Sequence, residues 1–207
     1  MPPSALIYET IVTTIASSGA AHIAPMGVRY RDENGESSVL LMPFRPSRTL
    51  DNVLATGYAV INFATDVRVF AGCVTGRHDW PTVAVEHIPC VRLADSLGHA
   101  ELRLVDVRDD ATRPVLRMQR VHEAHHQNFA GFNRAQAAVI EGAVLVSRLR
   151  MLPADKIDTE SAYLQIAIDK TGGLIEREAW SWLKATIADY RAAAAGSTPQ
   201  HAQGAIS

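Results

Sequence analysis

Along the first two thirds of the chain, apolar positions come in short runs separated by turn signals. Leu6 to Ile15 is dense in Ile, Val, Thr and Tyr, which predicts a strand closed by a Ser18-Gly19 turn. Ile23 to Tyr30 resumes the extended pattern. Glu33-Asn34-Gly35-Glu36 then carries an Asn-Gly step suited to a hairpin, so Val39 to Met42 is expected to pair back. Ser47 fits the N-cap of a short helix from Arg48 to Ala55, and Gly57 can end it in a left-handed conformation. Tyr58 to Ala64 predicts another strand. Val67 to Val74 fits a short helix or an irregular crossover, and the pattern does not choose between them. Strands return from Val91 to about Val107, and from Arg113 to His126, where Val115, Arg117, Gln119 and Val121 roughly alternate. Short strands with few helices predict a small antiparallel barrel.

The pattern changes at Asn133. Arg134 to Leu152 is apolar nearly all round and reads as a buried helix. After Pro153, a second helix from about Asp155 to Thr171 places Ile157, Leu164 and Ile168 on one face, and Gly172-Gly173 breaks it. A third, from Leu174 to about Ala193, aligns Ile175, Ala179, Trp182, Leu183, Ile187 and Tyr190. Trp180 cannot share a face with Trp182, so it is expected to mark a packing contact with another subunit. The expected class is therefore mainly β with an α appendage (α+β). The expected organisation is a barrel domain over residues 5–130, a three-helix subdomain over 131–195 and a flexible tail over 196–207. The Ala/Gly/Ser/Gln-rich stretch from Ala192 onward is expected to fray.

Composition changes this picture little. Of 207 residues, 47% are hydrophobic and 20% charged, which suits a soluble domain with a sizeable core. The net charge of −2 and the lack of a basic stripe argue against a nucleic-acid groove. No apolar run approaches the about 20 residues that span a bilayer, and Met1 to Glu9 lacks the pattern of a signal peptide. Cys73 and Cys90 form no CxxC pair, so reduced thiols in a cytoplasm are the simplest reading, with Cys73 buried and inert. No G-x-G-x-x-G occurs, which excludes a Rossmann nicotinamide domain.

Candidate chemistry concentrates between a strand and a helix. Arg45 and Arg48 can supply charge to a phosphate, Ser47 and Thr49 can supply hydroxyls, and the first amides of the Arg48–Ala55 helix add donors. The alternative is that Ser47 only caps the helix and the arginines are solvated. His122, His125 and His126 cluster, and on a strand His122 and His126 share a face. No third ligand is evident, and Glu123 points the other way, so a surface or dimer-edge role is expected and no metal site. Glu9 reads as the solvent face of its strand. Asn133 and Arg134 either cap the first long helix or let Arg134 reach an anionic ligand; Arg68 is a weaker candidate of that type.

Three segments, His22-Ile-Ala-Pro-Met-Gly27, Ser47-Arg-Thr-Leu-Asp-Asn52 and Gly57-Tyr-Ala-Val-Ile-Asn62, resemble the flavin-reductase-like FMN-binding split barrels. Glu9-Thr-Ile-Val-Thr-Thr14, Ala24-Pro-Met-Gly27, Pro43-Phe-Arg45, Ser47-Arg-Thr49 and Phe132-Asn-Arg-Ala135 resemble, more closely, the branch called domain of unknown function 447. The likeness runs from about residue 8 to 190. It implies an antiparallel split β-barrel followed by a C-terminal helical subdomain, with FMN as cofactor. It places Ser47, Arg48 and Thr49 around the phosphate, with Asn52 behind them. Ala24, Pro25, Met26 and Gly27 would run beside the isoalloxazine, and Asn62 would sit on the neighbouring strand. The sequence departs from the reductase pattern at His22, where Asn is common, and at Ser47-Arg48, which replaces Lys-Asp. The resemblance further implies a homodimer with flavin at the subunit interface. Its activity would be an FMN-dependent reduction of a small molecule, linked to pterin or one-carbon metabolism, with a nicotinamide or deazaflavin donor. Two other readings stay open: a non-catalytic flavin binder, and a split barrel holding a different ligand.

Overall fold

In the computed structural model, which describes residues 6–33 and 36–196, six strands close into an antiparallel barrel. The strands in chain order are β1 (Tyr8–Ile15), β2 (Ala21–Glu33), β3 (Glu36–Leu41), β4 (Tyr58–Phe63), β5 (Thr82–Ala84), β6 (Val91–Leu93), β7 (Gly98–Arg108) and β8 (Val115–His125). Around the barrel the order is β1-β2-β3-β8-β7-β4, and β4 returns to β1; β5 and β6 pair as a separate hairpin. This is the expected split barrel with a helical appendage. The Asn34-Gly35 step lies outside the described residues, while β2 and β3 pair up to Glu33 and Glu36.

The barrel interior is filled from every wall by Val12, Val28, Val39, Leu41, Ile61, Leu102, Leu116 and Met118. Helix α1 (Arg48–Thr56) adds Leu50 and Val53 to the same cluster. Each such side chain contributes about 1.5–3 kcal/mol by leaving water. β1 does not alternate cleanly because both of its faces are covered. Val12 belongs to the interior, whereas Ile11 packs with Ile23, Val69, Phe70 and Leu93 outside the barrel.

The undecided Val67–Val74 segment is a helix, α2 (Arg68–Val74). Val69 and Phe70 pack on the barrel wall, while Val67 and Ala71 join the core of α3 (Arg134–Ser147), α4 (Ala154–Thr171) and α5 (Leu174–Gly196). α2 thus ties the two cores together.

Three expectations need correction. The first long helix ends at Ser147, not Leu152: Arg148 donates to Leu145 O and Met151 to Arg148 O in a turn that tucks Leu149 into the helical core. Trp180 is not an outward marker. It is only 4% exposed, its ring lies against Gly142, and its indole N–H donates to Gln165 Oε1 at 2.7 Å. The stretch expected to fray from Ala192 continues α5 to Gly196, and the rest of that tail lies outside the described residues. Strand β5 was not foreseen, because three residues are too few for alternation to register. Among the described residues no helix is long and apolar enough to cross a membrane.

Candidate functional site

Ser47 is the N-cap of α1: its backbone is extended and its Oγ accepts from the Leu50 N–H at 3.1 Å. Gly57, at φ 81°, closes the other end and donates to Val53 O. Capping therefore uses the third amide of the helix. The amides of Arg48 and Thr49 have no partner among the described residues, the Thr49 hydroxyl has none either, and the Arg48 side chain is exposed. Behind them, Asn52 is buried and donates to Thr14 Oγ1 at 2.9 Å, fixing α1 against β1. Two unpartnered amides, a hydroxyl on the nearly buried Thr49 and the exposed Arg48 guanidinium at the positive end of a helix dipole form a donor set suited to a phosphate.

The second wall is β2. From Ala21 to Val28 it pairs with β1, whereas its pairing with β3 begins only at Val28. The other edge of the strand is therefore unpaired with β3 along Ala24, Pro25, Met26 and Gly27, all of them half-buried. Met26 packs against the barrel interior, and its carbonyl accepts from Thr10 Oγ1 at 3.0 Å. At Gly27 a Cβ would come within 2.7 Å of Ile7 Cγ2 and 3.4 Å of Glu9 Oε1, so close approach of the chain's first strand requires glycine. His22 joins the two walls. Its pKa is lowered by burial first, then by the charges of Arg48 and His78, which places the helix start within electrostatic reach of this strand.

Residues 8–127 match the family model described as protein of unknown function (DUF447), N-terminal domain, and residues 133–185 match its companion DUF447 model. The chain belongs to the DUF447 family. An FMN-bound DUF447 protein from Methanosarcina mazei superposes with a TM-score of 0.75 at 19% identity, covering 87% of this chain and 94% of that one. Flavoredoxin from Methanosarcina acetivorans gives 0.52 at 12% identity, over 63% and 76%. Nitrilotriacetate monooxygenase component B from Bacillus cereus gives 0.50 at 15% identity, over 65% and 79%. The M. mazei likeness extends beyond the barrel, as two DUF447 segments spanning barrel and helices require.

Not every residue singled out in this DUF447 sequence reaches the site. Asn62 is wholly buried: its Nδ2 donates to Ile11 O and Thr13 Oγ1, and its Oδ1 accepts from Leu93 N–H at 2.7 Å. With no exposed surface and its amide committed, Asn62 is a brace between β4, β1 and β6, not a ligand contact. Arg45 is engaged by Asp109 at 2.6 Å, on the β7–β8 connection. Arg68 is committed to Asp66 and Glu178, which raise its pKa, and is not available to an anion. Asn133 caps α3, accepting from Ala135 and Gln136 N–H, while Arg134 stays exposed. Burial pushes the Cys73 and Cys90 thiols up to about 11, consistent with inert cysteines.

The structure brings further potential ligands beside His122 than the sequence suggested. Register sets Glu101 of β7 directly opposite His122 of β8, and His87, from the loop between β5 and β6, stacks on His122 with ring centroids 3.9 Å apart. Glu101 is 1% exposed; its Oε2 accepts from the His87 N–H at 2.9 Å, and Oε1 lies 3.2 Å from His87 Nδ1. Burial works against its charge, but the His87 hydrogen bonds prevail and hold its pKa below the usual carboxylate range. Sequence reasoning missed His87 and Glu101 because one sits in a loop and the other reads as an ordinary polar position of an alternating strand.

Proposed function

We propose that this protein binds FMN and serves as a flavin-dependent oxidoreductase for a small molecule. The observation that carries the reading is the start of α1, where the open Arg48 and Thr49 amides, the Thr49 hydroxyl and the Arg48 guanidinium gather within electrostatic reach of His22. FMN in the M. mazei relative, which matches this chain across barrel and helices, supports it. Ser47, Arg48 and Thr49 hold the phosphate, and Asn52 braces their helix from behind. The main-chain groups of Ala24, Pro25, Met26 and Gly27 line the ring, with Met26 anchored in the barrel. Arg45 contributes only by releasing Asp109, so it ranks below Arg48.

Bound FMN would supply the electron transfer. The chain's own part is to fix the phosphate, to present an edge of β2 to the ring and to limit water on that side. The half-buried Ala24–Gly27 strip is not covered within one chain, which favours a homodimer whose second subunit completes each site. No residue of the site selects among small-molecule acceptors, pterins included.

Absorbance of the purified protein tests the reading: a flavin spectrum is expected, with FMN released on denaturation. Colourless protein that takes up no added FMN would refute it. Arg48→Ala/Thr49→Ala is expected to weaken FMN binding by about 10- to 100-fold, the range for losing a charge-assisted phosphate contact. Anaerobic bleaching by NADH, NADPH or a reduced deazaflavin marks an enzyme; a flavin bleached by none of them marks a carrier.

A further inference from the structure

On the outer face of the barrel, among β7, β8 and the loop between β5 and β6, a buried carboxylate is ringed by imidazoles. Glu101 Oε1 lies 3.2 Å from His87 Nδ1 and 3.5 Å from His99 Nε2. One ligand atom each from His87, Glu101 and His122 lies within 4.8 Å of the others. His99 supplies the independent sign that a ligand belongs here. It is 5% exposed, and its Nε2 is buried without a hydrogen-bond partner. Its nearest acceptor, Glu101 Oε1, stands 3.5 Å away, too far for a well-formed hydrogen bond, and an ion between the two would engage both. We propose that His87, His99, Glu101 and His122 form a four-ligand site for a divalent transition-metal cation of the zinc class.

The distances fit. Ligands bound about 2.0–2.1 Å from a tetrahedral zinc stand about 3.3 Å apart, and the two contacts to Glu101 Oε1 match that edge. His87, Glu101 and His122 already bring their ligand atoms within 4.8 Å of one another, and His99, which reaches Glu101 but lies outside that trio, would have to shift to complete the tetrahedron. Three imidazoles and one carboxylate are borderline-soft donors that suit zinc over calcium or magnesium. Neighbouring groups orient these ligands as well. The His87 N–H holds Glu101 Oε2, leaving Oε1 for the ion. His99 Nδ1 is 2.9 Å from His126 Nε2, so a proton on Nδ1 donates to His126 and turns the Nε2 lone pair toward Glu101. With four protein ligands the centre is closed, and its role is structural: it clamps the Val85–Cys90 loop onto β7 and β8.

The test uses the full chain, stripped with a chelator and titrated with Co²⁺ as a spectroscopic probe and Zn²⁺ as competitor. Expected are tetrahedral cobalt bands saturating at one ion per chain, their displacement by zinc, and a higher melting temperature with zinc. His87→Ala and His122→Ala should each abolish the bands, with circular dichroism showing that the variants remain folded. His126→Ala should weaken binding by about 10- to 100-fold. FMN content after denaturation should be the same in all of them, which separates this site from the flavin reading. Folded wild-type protein giving no cobalt bands, or bands that survive both His87→Ala and His122→Ala, would overturn the proposal.

Discussion

Arg48 acts on His22 from a different element, and that coupling is measurable. His22 titrates below the ordinary 6.5 because burial, then Arg48 and His78, disfavour the imidazolium. Around that pH the unfolded chain binds more protons than the folded one. Stability is therefore present above 6.5 and declines as pH falls from there toward the folded pKa. An NMR titration of His22 should give a midpoint under 6.5 that moves up in Arg48→Ala; an unmoved midpoint would separate the two walls of the proposed site. Asn62 makes the opposite kind of claim. Asn62→Ala strips partners from the buried Leu93 N–H and Ile11 carbonyl, so urea unfolding should show a loss of about 2–3 kcal/mol. Folded Asn62→Ala protein should keep its FMN affinity. At this scale the sequence offered Ser47 as a cap and Asn133 as one of two alternatives, and both residues cap their helices, since a cap is set by its own neighbours. It misjudged Asn62, whose partners come from β1 and β6.

Elements with local signals were legible. Ser47 and Gly57 bound α1 where a cap and a left-handed stop should stand, and Gly172 ends α4. α2 was ambiguous because its apolar side chains serve two cores, a division that no single helical face encodes. The α3–α5 contact depends on Gly142, where a Cβ would meet Trp180 Cζ3 at 2.6 Å and Leu183 Cδ1 at 3.0 Å. Gly142→Ala should cost about 1–3 kcal/mol through overpacking, read as a lower thermal midpoint. An unchanged midpoint would mean that the indole yields freely, against its bond to Gln165.

For the whole molecule, Ile7 and Phe44, 53% and 59% exposed, add apolar surface on the segments leading into β1 and α1. A second subunit covering that region would complete the flavin site. Sedimentation is therefore expected to find a dimer carrying one FMN per chain, whereas a monomer with full FMN occupancy would remove the shared site.

The sequence by itself determined most of the strands and helices, the cap and stop of α1, and through its motifs the split-barrel family, because periodicity and capping are set within a few residues. Tertiary structure decided which polar groups meet. It brought Arg48 to His22, enclosed Asn62 and gathered His87, His99, Glu101 and His122 from a loop and two strands. Such juxtapositions depend on strand order and register around the closed barrel, information that no local stretch of the chain carries.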